Sequence, residues 1–121
     1  MERRKILFVD DEADWRLVVT EALSEVGHEV LAAADASEAM HLTEGVSLGL
    51  IILDLNLAGE SGLTLMTYLR HNQPGVPVLL FTGMEHDEKA VAAMRLAGAN
   101  QYLRKGNLKE LVKAVGRSFK C

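Results

Sequence analysis

Leu50-Ile51-Ile52-Leu53-Asp54-Leu55-Asn56 opens with four branched apolar residues and then reaches a carboxylate. A strand without polar alternation is buried on both faces, the pattern of the middle of a parallel sheet. An unpaired carboxylate cannot follow it into an apolar core, because losing its water costs several kcal/mol or forces it to hold a proton. Asp54 is therefore expected where the strand leaves the core. In open α/β sheets that carboxyl end is where ligands bind. The plainer reading is an Asp that starts a turn, and the rest of the chain decides between the two.

Outward from this strand the pattern repeats. Lys5 to Val9 is a short apolar strand ending in Asp10-Asp11-Glu12. Trp15, Val18, Val19, Ala22, Leu23 and Val26 then recur at helical steps and predict an apolar stripe, stopped by Gly27. Glu29 to Ala34 is a second strand, and Asp35 or Ser37 caps a helix with Ala39, Met40 and Leu42 turned inward. Gly45 ends that helix before the Leu50 strand. Beyond Asp54, Leu63 to His71 reads as a helix closed by Asn72-Gln73-Pro74-Gly75. Val76 to Thr82 is a fourth strand, with Pro77 tolerable at its start. Glu85 to Ala97 is a helix stopped by Gly98, with Ala90, Val91, Met94 and Ala97 inward. Gln101 to Arg104 is a brief fifth strand, and Asn107 caps a last helix with Leu108, Leu111, Val112, Val115 and Phe119 inside. Such alternation implies an α/β fold, a five-stranded parallel sheet with right-handed crossovers and helices on both faces.

The 121 residues suit one domain, 1–121, with a real core. A hydrophobic content of 49% and a charged content of 25% are those of a globular chain. No apolar run approaches the roughly 20 residues of a membrane span, and no signal-peptide pattern opens the chain. Cys121 is the only cysteine, so no intrachain disulfide forms, which fits a cytoplasmic setting. His28, His41, His71 and His86 lack metal-ligand spacing. The net charge of −4 is unevenly spread, with the acids concentrated before residue 89 and the cations after it.

Polar residues gather where the strands end: Asp10 and Asp11, Asp54, Thr82 and Lys105. In the order 2-1-3-4-5, strands one and three are neighbours at the switch point. Asp10, Asp11 and Asp54 would then crowd together, with Thr82 flanking. Lys105, two strands from Asp54, faces a gap of roughly 10 Å that a lysine stem can largely bridge. Crowded carboxylates repel unless a cation or protons intervene, and a hard divalent ion with oxygen ligands is the natural answer. Mg2+ takes one or two carboxylates and leaves room for a phosphoryl group. Asp54 becomes a candidate nucleophile, with the Lys105 ammonium and Thr82 hydroxyl neutralising the transferred oxygens. Taken singly, each residue has a bland reading as helix-start acid, strand residue or surface lysine. Their shared edge favours the chemical one.

The chain resembles the receiver domain of bacterial two-component response regulators. The resemblance runs through Ile6-Leu7-Phe8-Val9-Asp10-Asp11-Glu12, Ile52-Leu53-Asp54-Leu55-Asn56-Leu57, Ser61-Gly62, Leu80-Phe81-Thr82-Gly83 and Ala97-Gly98-Ala99-Asn100-Gln101-Tyr102-Leu103-Arg104-Lys105. It implies a flavodoxin-like (βα)5 fold in the strand order 2-1-3-4-5. It also implies a phosphoprotein of signal transduction in which Asp54 accepts a phosphoryl group from a histidine kinase or phosphotransfer protein. By the same resemblance Asp11 binds Mg2+ directly and Asp10 through water, the backbone carbonyl of Asn56 is a further ligand, Thr82 and Lys105 sense the phosphoryl group, and Tyr102 turns inward on activation. The domain would then catalyse only its own phosphorylation and hydrolysis and is not otherwise an enzyme.

Three features depart from the family pattern. Leu57-Ala58 stands where Met-Pro is frequent. Gly106 stands where proline often follows the lysine, so a trans bond and a more mobile loop are expected there. Asn100-Gln101 replaces acidic residues common in the salt-bridged dimers of some receivers. Trp15 is expected to pack in the core near the acidic residues and to report on Mg2+ through its fluorescence. Lys89, Arg95, Arg104, Lys109, Lys113, Arg117 and Lys120 make residues 89–121 electropositive, which suits an acidic partner and disfavours a symmetric dimer through that face. No DNA-binding motif accompanies them.

Other classes fit less well. An aspartyl-nucleophile phosphatase needs a second acid two residues on, where Asn56 stands. A flavin or phosphate binder of this topology needs a donor-lined first loop, and Asp10-Asp11-Glu12 repels phosphate without metal. A receiver-like interaction module that no longer uses phosphate is the remaining alternative, suggested by Ala58 and Gly106.

Overall fold

The Leu50–Leu53 strand lies at the centre of a five-stranded parallel sheet, fully covered on both sides. The structure, a computed structural model, describes residues 5–54, 62–83 and 88–119. In chain order the elements are β1 (Lys5–Val9), α1 (Ala13–Glu25), β2 (Glu29–Ala33), α2 (Ala36–Leu42), β3 (Leu50–Leu53), α3 (Gly62–Asn72), β4 (Val78–Thr82), α4 (Glu88–Leu96), β5 (Gln101–Arg104) and α5 (Leu108–Ser118). The strand order is β2-β1-β3-β4-β5, as the alternation of elements and the resemblance led one to expect.

The period-two geometry of strands divides the apolar residues between two cores. Leu7, Val9, Ile51, Leu53, Val78 and Leu80 face Ala39, Leu65, Met66, Leu69 and Met94 of α2, α3 and α4. Ile6, Phe8, Leu50, Ile52, Leu79 and Phe81 face Val19, Leu23, Leu111, Ala114 and Val115 of α1 and α5. Burying both faces of β1, β3 and β4 is what fixes their unbroken apolar sequences.

Local chemistry sets the element ends. Asp35, not Ser37, caps α2, its Oδ1 accepting from Glu38 N at 2.8 Å. Asn107 caps α5, its Oδ1 accepting from the amides of Lys109 and Glu110. Pro77 stays just outside β4: its carbonyl accepts from Ile51 N at 3.0 Å, but proline has no N–H to give to the ladder. Gly98, at φ 122°, ends the turn after α4 in a conformation other residues avoid.

Some sequence expectations shift. Val18 and Val26, assigned to the inner stripe of α1, are 38% and 55% exposed. The seam that meets the sheet is Val19 and Leu23, four residues apart; Val18 flanks it, and Val26 lies past the last helical turn. The second strand ends at Ala33 and the fourth starts at Val78, slightly shorter than the sequence suggested. The helix start proposed at Glu85 lies outside the described residues, as do Asn56, Leu57, Ala58, Ser61, His86, Lys120 and Cys121.

Candidate functional site

The hydrogen-bond ladder continues one residue past three of the strands, and each extra rung carries a site residue. Asp10 N donates to Ala33 O at 3.0 Å, Asp54 N to Val9 O at 3.0 Å, and Lys105 N to Thr82 O at 2.6 Å. Val9 pairs with Leu53 across β1 and β3, so Asp10 and Asp54 follow side by side. The backbone thus presents both carboxylates at the switch point without any loop having to find its place.

Lys105 reaches them from two strands away. Its Nζ lies 2.6 Å from Asp10 Oδ2, 2.9 Å from Asp54 Oδ2 and 3.2 Å from Glu12 Oε1. Asp10 and Asp54 are almost fully buried, whereas the Glu12 side chain is 60% exposed. Asp10 Oδ1 also accepts from Glu12 N at 3.0 Å, and Arg16 Nη1 donates to the Asp10 carbonyl at 2.8 Å, tying the first turn of α1 to the end of β1. Burial pushes the Asp10 carboxyl above its ordinary range, and the nearby Asp54 adds to this; the Lys105 ammonium and the Glu12 amide only partly offset it. For Lys105, burial opposes the charge, but the paired carboxylates of Asp10 and Asp54 outweigh it and hold the ammonium above its usual value. One cation therefore serves several acids.

The sequence-predicted residues come together. Oxygen atoms of Asp10, Asp11, Glu12 and Asp54 lie within 4.8 Å of one another, an all-oxygen donor set of the kind hard divalent cations prefer. Thr82 is fully buried at the end of β4, and its Oγ1 has no hydrogen-bond partner among the described residues. A buried hydroxyl left unpaired is costly unless something else binds it. The carboxylate cluster fits a metal, and the unpaired hydroxyl fits an oxygen-rich group beside it. Tyr102 is half-buried against the core on the α2–α4 side. Glu12 belongs to the cluster although sequence reasoning had not placed it there; its signal was the unbroken Asp10-Asp11-Glu12 run. Asn56 lies outside the described residues.

Fold and pocket together define an α/β protein that gathers carboxylates around one lysine at the switch point of its sheet. The response regulator receiver domain family matches residues 6–116, and the chain belongs to that family. Among relatives, PilR of Pseudomonas aeruginosa is 34% identical over 93% of this chain and 26% of its own length. PhoP of the same organism is 37% identical over 82% of this chain and 44% of its own. The chain thus spans less than half the length of these curated relatives. Among solved structures, the chemotaxis protein CheY4 of Vibrio cholerae superposes with a TM-score of 0.89 at 27% identity, covering 98% of this chain and all of that one. NtrX of Brucella abortus gives 0.87 at 33% identity, over 97% of this chain and 27% of that one. Among the described residues no helix is long and apolar enough to cross a membrane.

Proposed function

We propose that residues 1–121 form a single receiver domain in which Asp54 accepts a phosphoryl group from a phosphohistidine on a histidine kinase or phosphotransfer protein. The observation that carries this reading is the placement of Asp54 at the sheet's switch point, 2.9 Å from Lys105 Nζ and beside the acids Asp10 and Asp11. Asp10, Asp11, Asp54 and the Asn56 carbonyl would hold Mg2+, which neutralises phosphoryl oxygens when bound.

The chain's own residues do the rest. A carboxylate oxygen of Asp54 forms the new P–O bond as the P–N bond to the donor imidazole breaks, and the electron pair leaves with the imidazole nitrogen. Lys105 turns from the carboxylates to a phosphoryl oxygen, and the Thr82 hydroxyl donates to another. Attack of water at phosphorus later releases inorganic phosphate and restores the Asp54 carboxylate. No separate substrate is turned over. Engagement of Thr82 and a shift of Tyr102 on the next strand would change the surface a partner meets. The exposed cations Arg95, Lys109, Lys113 and Arg117 support an acidic partner on that side; direct binding of nucleic acid is not part of this proposal.

Incubation with acetyl phosphate and Mg2+ tests the reading by intact mass. The protein should gain one phosphoryl unit and Asp54→Asn should gain none. An equal gain by the Asn variant, or no gain by the parent, would overturn it.

A further inference from the structure

The ammonium of Lys105 also sits over the indole of Trp15, 5.6 Å from the ring centroid. Trp15 is set in turn by an edge-on contact with Phe81, with centroids 5.3 Å apart and planes at 86°, and Phe81 packs on Phe8 at 6.4 Å. Arg16, the next residue, fastens the first turn of α1 to the end of β1. The indole is thus held from the sheet and from the helix. The loop after Lys105 offers nothing comparable. Gly106 adopts φ 132°, and a Cβ placed on it would meet no atom of the described residues within 4 Å. The Lys105 side chain is nonetheless only 6% exposed.

We propose that Trp15 is a positioning residue for Lys105, its aromatic face holding the ammonium over the Asp10–Asp54 pocket in place of any constraint from the following loop. The three carboxylate contacts are ones that a metal competes for. The Trp15 contact is not, so it keeps Lys105 within reach of Asp54 in either state. A ring face attracts a cation more strongly as the pair is withdrawn from water, and the Lys105 side chain is largely covered.

This rests on the phosphoacceptor reading, and the experiment has two arms so that the two can fail separately. The first needs no phosphorylation. In protein carrying 13C-lysine, the Lys105 Cε–Hε resonance, assigned by its loss in Lys105→Arg, should lie upfield of the other lysines with and without Mg2+. It should remain upfield in Trp15→Phe and return to the ordinary position in Trp15→Leu. The second arm measures the rate of phosphoryl gain from acetyl phosphate at saturating Mg2+. Trp15→Leu should slow it about five- to thirtyfold, the range from an exposed to a desolvated cation–ring contact, while Trp15→Phe stays within about twofold. In a Lys105→Ala background the Leu substitution should add nothing. Trp15→Met, which fills space without an aromatic face, should behave as Leu and serves if Leu does not fold. An upfield resonance that survives in Trp15→Leu, equal losses in the Phe and Leu variants, or a loss repeated without Lys105 would each overturn the proposal. Absence of any phosphoryl gain in the parent would strike the function and leave the resonance arm to judge Trp15.

Discussion

At the amino-terminal end of the sheet, Gln73 Nε2 donates to Val46 O at 2.6 Å and Gln73 Oε1 accepts from Leu48 N at 3.3 Å. Nearby, Asn100 Oδ1 accepts from Val78 N at 2.8 Å, while Asn100 N donates to Val78 O. These amides close backbone groups of the loop leading into β3 and of the first residue of β4. At the carboxyl-terminal end, Asp10 and Asp54 are buried around one shared cation and the Thr82 hydroxyl is unpaired among the described residues. Both ends engage polar side chains, half-buried Gln73 and exposed Asn100 at one, buried Asp10 and Asp54 at the other. One end matches donors to acceptors among neutral groups. The other accumulates charge and an unused donor, which lowers stability unless a ligand completes it. Matched polar groups mark a seam of the fold, and unmatched ones mark the place where the fold awaits chemistry.

The largest expected effect strikes the cation. Lys105→Ala leaves two buried carboxylates facing each other, so metal-free stability at neutral pH should fall by about 3 kcal/mol, and Mg2+ should recover much of it. Urea unfolding with and without Mg2+ measures both. A loss that Mg2+ does not relieve would mean that the two ends are not different in kind. Gln73→Ala removes two neutral bonds at the other end and should cost about 2 kcal/mol. That loss should be the same with or without Mg2+, and the phosphorylation rate should be unchanged.

Asp10→Asn sharpens the contrast through pH. The folded-state pKa of Asp10 is raised above 3.8, chiefly by burial, so the fold holds that proton more tightly than the unfolded chain does. The stability this contributes is complete below 3.8 and lost as the pH rises through the folded value. Metal-free Asp10→Asn should therefore gain stability on the parent between acid and neutral pH, seen as diverging urea midpoints. Converging midpoints would remove the electrostatic account of this end. The smallest effect is expected of Thr82→Val. Its hydroxyl has no partner to lose among the described residues, so stability should change by less than about 0.5 kcal/mol. Phosphoryl gain should nonetheless slow, and a large stability loss would show a structural bond at this position.

Much of this was legible in order along the chain. Residues such as Ile51, Ile52 and Leu80 announce strands covered on both faces, and the strand order then brings Asp10, Asp54, Thr82 and Lys105 to one edge. Period and topology suffice for that. They do not give side-chain directions across loops, so the contact of Lys105 with Trp15 was not readable, whereas the entry of Glu12 into the acidic group was signalled by the unbroken Asp10-Asp11-Glu12 run and passed over. Val18 and Val26 misled because a helical stripe is wider than the seam that touches the sheet. Asn100 was noticed for the acid it replaces in other receivers, whereas its amide pairs with the first residue of β4. That role depends on a neighbour 22 residues away and leaves no local pattern.

Reduction with borohydride after incubation with acetyl phosphate tests the central claim at the atom concerned, because an aspartyl phosphate is converted to homoserine. Peptide mass mapping should find homoserine at position 54 when Mg2+ is present and unmodified Asp54 when EDTA replaces it. Homoserine at another aspartate, or equal conversion with and without the metal, would contradict the account.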